Sequence, residues 1–152
     1  MRLARKGPMF FLAAVALASA PCHRAVAQVT SQVKLWAVLG VPGPVLQLAE
    51  AEKMSLDFYV VNDGPTVAAA RIESTRLYIN GVRLAAWENS ISGNGLRSEY
   101  FNALPPGQIL QFGYQLGPRY FSTPGIYTVQ WEGPDYKSPP LTFRVMPALT
   151  PE

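Results

Sequence analysis

The chain has a single cysteine and a single histidine in 152 residues, Cys22 and His23, adjacent to each other near the N-terminus. One cysteine forms no intrachain disulfide, and one Cys with one His makes up no Cys/His zinc site. Charge is scarce too, with Asp, Glu, Lys and Arg at 15% of the chain. The apolar run Met9 to Ala20 is shorter than the roughly 20 residues that a membrane-crossing helix needs. Internal repeats and low-complexity segments are absent.

The short apolar run fits an export signal. Arg2, Arg5 and Lys6 precede it as a positive n-region, and Ala25-Val26-Ala27 supplies a small-x-small cleavage site, so residues 1–27 are expected to be removed before Gln28. Pro21 disfavours both a cut after Ala20 and lipidation of Cys22. The leader holds four of the 13 basic residues (Arg2, Arg5, Lys6, Arg24) and none of the 10 acidic ones, leaving nine against ten and a net charge of −1. No basic patch then remains to neutralise phosphates, which argues against a nucleic-acid partner. Cys22 and His23 leave with the leader, and with them any Ser-His-Asp or Cys-His pair. The expected product is an exported domain, 28–152, periplasmic or extracellular, held together by its core alone and without an integral membrane segment.

Glycine (12) and proline (14) are plentiful and divide this part into short alternating segments. Val33, Leu35, Ala37 and Leu39 alternate with Lys34, Trp36 and Val38, a first strand with one mixed face. Gly40 to Pro44 breaks it, and Val45 to Lys53 reads as a short strand or irregular crossover. In Ser55 to Asn62, Leu56, Phe58 and Val60 share a face, and Asn62-Asp63-Gly64-Pro65 ends the run. Thr75, Leu77 and Ile79 lead to Asn80-Gly81, a two-residue hairpin signal, with Val82 to Trp87 as the returning strand. Glu88 to Ala103 reads as a long polar loop. After Leu104-Pro105-Pro106-Gly107, Leu110, Phe112, Tyr114 and Leu116 alternate as a strand, and Gly117 to Thr123 forms a corner that carries Tyr120 and Phe121 inward. Pro124-Gly125 opens a strand whose Tyr127, Val129 and Trp131 face one way, and Leu141, Phe143 and Val145 form the last strand. Met146 to Glu152 reads as a tail.

Seven or eight short strands without a core-length helix predict an all-β sandwich with Greek-key connections. Gly125-x-Tyr127-x-Val129 resembles the tyrosine corner of immunoglobulin-like sandwiches, with valine where their second cysteine stands. Leu56-x-Phe58-x-Val60-x-Asn62-x-Gly64 and the stretch Leu104 to Trp131 are similar to strands of bacterial immunoglobulin-like modules, among them a proteinase-inhibitor family and adhesion-type domains. The resemblance implies the fold and transfers no functional motif.

Candidate sites follow from what remains. Trp87, Tyr100, Phe101 and Tyr136 lie beside loops and are the candidate binding residues, for another protein or, alternatively, for a glycan stacked on Trp87 and Tyr100. Tyr127, Val129 and Trp131 are the structural residues, and Trp36 is also assigned to the core. Glu88 and Glu99 flank the long loop as the one carboxylate pair worth weighing for glycosidic hydrolysis, although solvated loop charges explain them as well. Arg71, Arg76 and Arg83 read as a mixed-charge solvent face with Glu73 and Glu88. Asp57, Asp63 and Asp135 lack the spacing of a calcium loop, so neither metal nor cofactor is expected. The reading is a non-enzymatic binding or structural module, with a carbohydrate-binding module and a proteinase inhibitor as alternatives.

Overall fold

A computed structural model describes residues 34–93 and 98–148. The expected leader, Gln28 to Ser31, part of the expected loop and the end of the tail lie outside the described residues. Eight strands follow one another: β1 (Leu35–Gly40), β2 (Val45–Gln47), β3 (Ser55–Asn62), β4 (Arg76–Ile79), β5 (Val82–Arg83), β6 (Ile109–Gln115), β7 (Gly125–Glu132) and β8 (Leu141–Met146). Three helices interrupt them: α1 (Leu48–Ala51), α2 (Ala85–Gly93) and α3 (Gly117–Tyr120). The strands form two sheets, ordered β1-β3-β6 and β2-β8-β7-β4-β5, antiparallel except for the parallel pair β2 and β8. This is a β-sandwich.

Alternation sets the inner faces, because successive side chains of a strand point to opposite sides. The three-stranded sheet turns Leu35, Ala37 and Leu39, then Leu56, Phe58 and Val60, then Leu110 to the interior; the larger sheet answers with Leu46, Leu77, Ile79, Val129, Trp131, Phe143 and Val145. Phe58 stands at the centre. Its ring lies 4.8 Å from Trp87 and 5.0 Å from Phe112, both stacked, and meets Trp131 edge-on at 5.1 Å. A second aromatic group, Phe121, Tyr127 and Phe143, fills the end near α3 with centroid distances of 5.0–5.7 Å.

Two turns are fixed by side chains as well as by backbone. Asn80 and Gly81 take φ of 50° and 77°, the left-handed pair that a two-residue hairpin needs, and Asn80 Oδ1 accepts the Thr128 N–H at 2.8 Å. Buried Asn62 ends β3 with three bonds: Nδ2 donates to the carbonyls of Thr66 (2.8 Å) and Leu104 (2.9 Å), and Oδ1 accepts from Gly64 N (3.0 Å).

Three expectations need correction. The strand returning from Asn80-Gly81 stops at Arg83, and Ala85–Gly93 is helical, so a helix of about two and a half turns stands where a strand and loop were expected. The helix wins because Leu84, Trp87 and Ile91 recur at helical spacing, and this turns Trp87 into the gap between the sheets. Trp36 is not a core residue: it is 51% exposed, because Leu35, Ala37 and Leu39 take the inward phase of β1. The remainder of the expected long loop contains a 3-10 turn, Glu99–Phe101, whose Tyr100 N–H is capped by Ser98 Oγ at 3.3 Å.

Candidate binding surface

The four loop aromatics do not form an outward platform. Trp87 is 2% exposed and Tyr136 7%, so neither offers a ring face to solvent. The Trp87 indole N–H donates to Thr75 Oγ1 at 3.1 Å, and that hydroxyl donates to the Ile72 carbonyl at 2.6 Å. Tyr136 packs edge-on against Trp131 at 5.4 Å and donates its hydroxyl to the Ala70 carbonyl at 2.7 Å. Phe101 is half-buried, 5.7 Å from Phe112, and Tyr100 is half-buried beside it. Trp87, Phe101 and Tyr136 thus join one aromatic cluster around Phe58, Phe112 and Trp131. Large aromatics beside loops supply the closure of this small sandwich.

Tyr127, Val129 and Trp131 lie on the inner side of β7, with Tyr127 half-buried and the other two fully buried. The Tyr127 hydroxyl donates to the Thr123 carbonyl, four residues back, at 2.7 Å. The Trp131 indole N–H is buried without an acceptor.

Several of the charged candidates are engaged in ion pairs. Arg83 grips both oxygens of Glu88, with Nε to Oε1 at 2.6 Å and Nη2 to Oε2 at 2.7 Å. The hydrogen bond from Arg83 holds the Glu88 carboxyl below its ordinary range, the opposite of what a general acid requires. Glu99 opens the 3-10 turn Glu99–Phe101. Arg71 pairs with Asp135, Lys34 with Asp63 at 3.5 Å, and Lys137 with Glu132 at 3.7 Å. Among the described residues, no three His, Cys, Asp or Glu side chains come together to hold a metal ion, and no helix is long and apolar enough to cross a membrane.

The feature that sequence reasoning missed is the outer face of the three-stranded sheet. The register sets Trp36 opposite Val61 and Val61 opposite Ile109, an apolar row across all three strands. The next row is Val38, Tyr59 and Gln111, in which Gln111 Nε2 donates to Tyr59 Oη at 3.2 Å. Trp36, Val38 and Ile109 are 51%, 45% and 53% exposed. Two strand spacings separate the ends of the row, about 10 Å. Outward faces of antiparallel sheets are usually polar, so a contiguous apolar row calls for an explanation. Lys34 borders it, with Nζ 4.7 Å from the centre of the Trp36 ring. The signal available in the sequence was the pair Trp36 and Val38, apolar outward residues opposite an already apolar inward set.

A comparison with protein-family models and one with curated proteins each return no match for this chain.

Proposed function

We propose that the protein is an exported, non-enzymatic binding module built on an immunoglobulin-like Greek-key sandwich, and that the outer face of its three-stranded sheet grips another protein. The row Trp36, Val61 and Ile109, exposed at both ends, carries this reading, because covering an apolar patch that includes an exposed aromatic removes unfavourable contact with water. The sheet orders β1-β3-β6 and β2-β8-β7-β4-β5 support the scaffold assignment, since the chain passes repeatedly from one sheet to the other, at β1–β2, β2–β3, β3–β4, β5–β6 and β6–β7. So does the hydrogen bond from Tyr127 back to Thr123, which has the form of a tyrosine corner. The N-terminal signal pattern supports export. A protein surface is favoured over a glycan because Lys34 already lies over the Trp36 ring, where a sugar would stack.

The test is a photo-crosslinking residue placed at Ile109 in the producing cell, with Trp36→Ala as the comparison. Trp36→Ala is expected to abolish a discrete crosslinked product while changing stability by less than about 1 kcal/mol, since exposed positions contribute little to folding. A product that survives Trp36→Ala, or specific binding on a glycan array in place of a protein product, would refute the reading.

A further inference from the structure

Four strands end the two sheets. β5 has two residues and β2 three, too few to hold another chain, whereas β1 has six and β6 seven. Hydrogen bonds fix which backbone groups remain unused. Asp63 N donates to the Lys34 carbonyl at 2.9 Å, toward β1, and Asn62 N donates to the Gln108 carbonyl at 3.1 Å, toward β6. Backbone groups alternate sides along a strand, so Leu110, Phe112 and Tyr114 spend theirs on β3, and Ile109, Gln111, Gly113 and Gln115 turn theirs away from the sheet.

The two long edges then differ. In β1 the residues facing away are Leu35, Ala37 and Leu39, at 9%, 2% and 7% exposure, so that edge is covered. In β6 all four are exposed, and Gly113 decides the point because its exposure is main chain alone. Helix α2 reaches this flank through Trp87, whose ring meets Tyr114 edge-on at 5.1 Å on the inner side, and Gly113 stays open. Ile109–Gln115 contains no charge and no proline, the devices that ordinarily blunt a free edge.

We propose that β6 is the joint of a symmetric dimer, in which the free edges of two copies pair antiparallel about Phe112. This register sets Gln111 of one copy opposite Gly113 of the other and Ile109 opposite Gln115, and each such pair exchanges two backbone hydrogen bonds. A second copy is the occupant because the strand complements itself. The two lengths are equal, no like charges oppose, and the Gln111 side chain falls beside a glycine. Pairing fuses two three-stranded sheets with both Trp36 rows on one side, which would present the proposed binding surface twice. One strand pair falls short of the roughly 1,600 Å² of a standard interface, so the dimer is concentration-dependent.

Sedimentation velocity of the purified protein over a concentration series tests this. The expected result is a monomer–dimer equilibrium that Gln111→Pro weakens at least about tenfold, because it removes an outward N–H and leaves the β3 ladder intact. Gln111→Lys, which keeps the backbone and sets two like charges near the axis, is expected to weaken it as well. Trp36→Ser is expected to leave the dimer unchanged while removing the partner crosslink, so the two proposals fail separately. A protein that stays monomeric up to its solubility limit, a dimer that tolerates both Gln111 variants, or one lost with Trp36→Ser would overturn the proposal.

Discussion

Tyr136 shows how one side chain ties a turn to the core. Its ring packs on Trp131 and its hydroxyl reaches the Ala70 carbonyl, so the phenol is closed off from water. Burial first, and the charge of Glu73 second, push its pKa well above the ordinary value. In the unfolded chain this tyrosine ionises near pH 10, whereas in the folded protein it keeps its proton. Above that pH the unfolded state binds fewer protons than the native state, so stability falls as pH rises. Urea unfolding at about pH 8 and about pH 11 should show a loss that Tyr136→Phe reduces, the other tyrosines being common to both proteins. At neutral pH the same variant is expected to lose about 1–3 kcal/mol, because the Ala70 carbonyl keeps its burial and loses its donor. Equal alkaline losses in the two proteins would show that this phenol is not protected.

At the scale of elements, the contact between α1 and α3 is a close approach of backbones. A Cβ on Gly117 would lie 2.1 Å from the Ala51 carbonyl oxygen and 2.8 Å from that of Glu52, and neither can turn aside as a side chain would. Gly117→Ala is therefore expected to destabilise by about 1–3 kcal/mol, read as a lower thermal midpoint. Gly125→Ala is the control, since nothing lies within 4 Å of a Cβ there, and it should stay within about 0.5 kcal/mol of the parent. Element by element, β3 spans the residues expected of it, Ser55–Asn62, and β6, β7 and β8 fall where alternation placed them. Val82 to Ile91 does not. Over so few residues, strand alternation links Leu84 to Ala86 and helical spacing links Leu84 to Trp87, and the packing of Trp87 beside Phe58 settled the matter.

For the molecule as a whole, Phe58 and Phe112 both meet Trp131 of the facing sheet, and Phe58 stands at the centre of that contact. Phe58 is fully buried and touches the ring from α2, a ring from its own sheet and a ring from the facing sheet, so its removal opens a cavity that no single element can close. Phe58→Ala is expected to lose about 3–5 kcal/mol by urea denaturation, against less than about 1 kcal/mol for Trp36→Ala. Comparable losses for the two would mean that Trp36 is packed as a core residue.

Composition and alternation alone determined the β-rich architecture, the hairpin turn at Asn80-Gly81 and the inward set of β3, because a period of two and a pair of residues tolerant of positive φ are local properties of the chain. Tertiary structure decided which aromatics are buried. Trp36 and Trp87 have the same side chain, yet one lies on the outer face of β1 and the other between the sheets. That difference depends on which flank of the sandwich is left open for a ring to fill. Strand pairing sets that flank, and pairing joins residues far apart in sequence, out of reach of any local pattern.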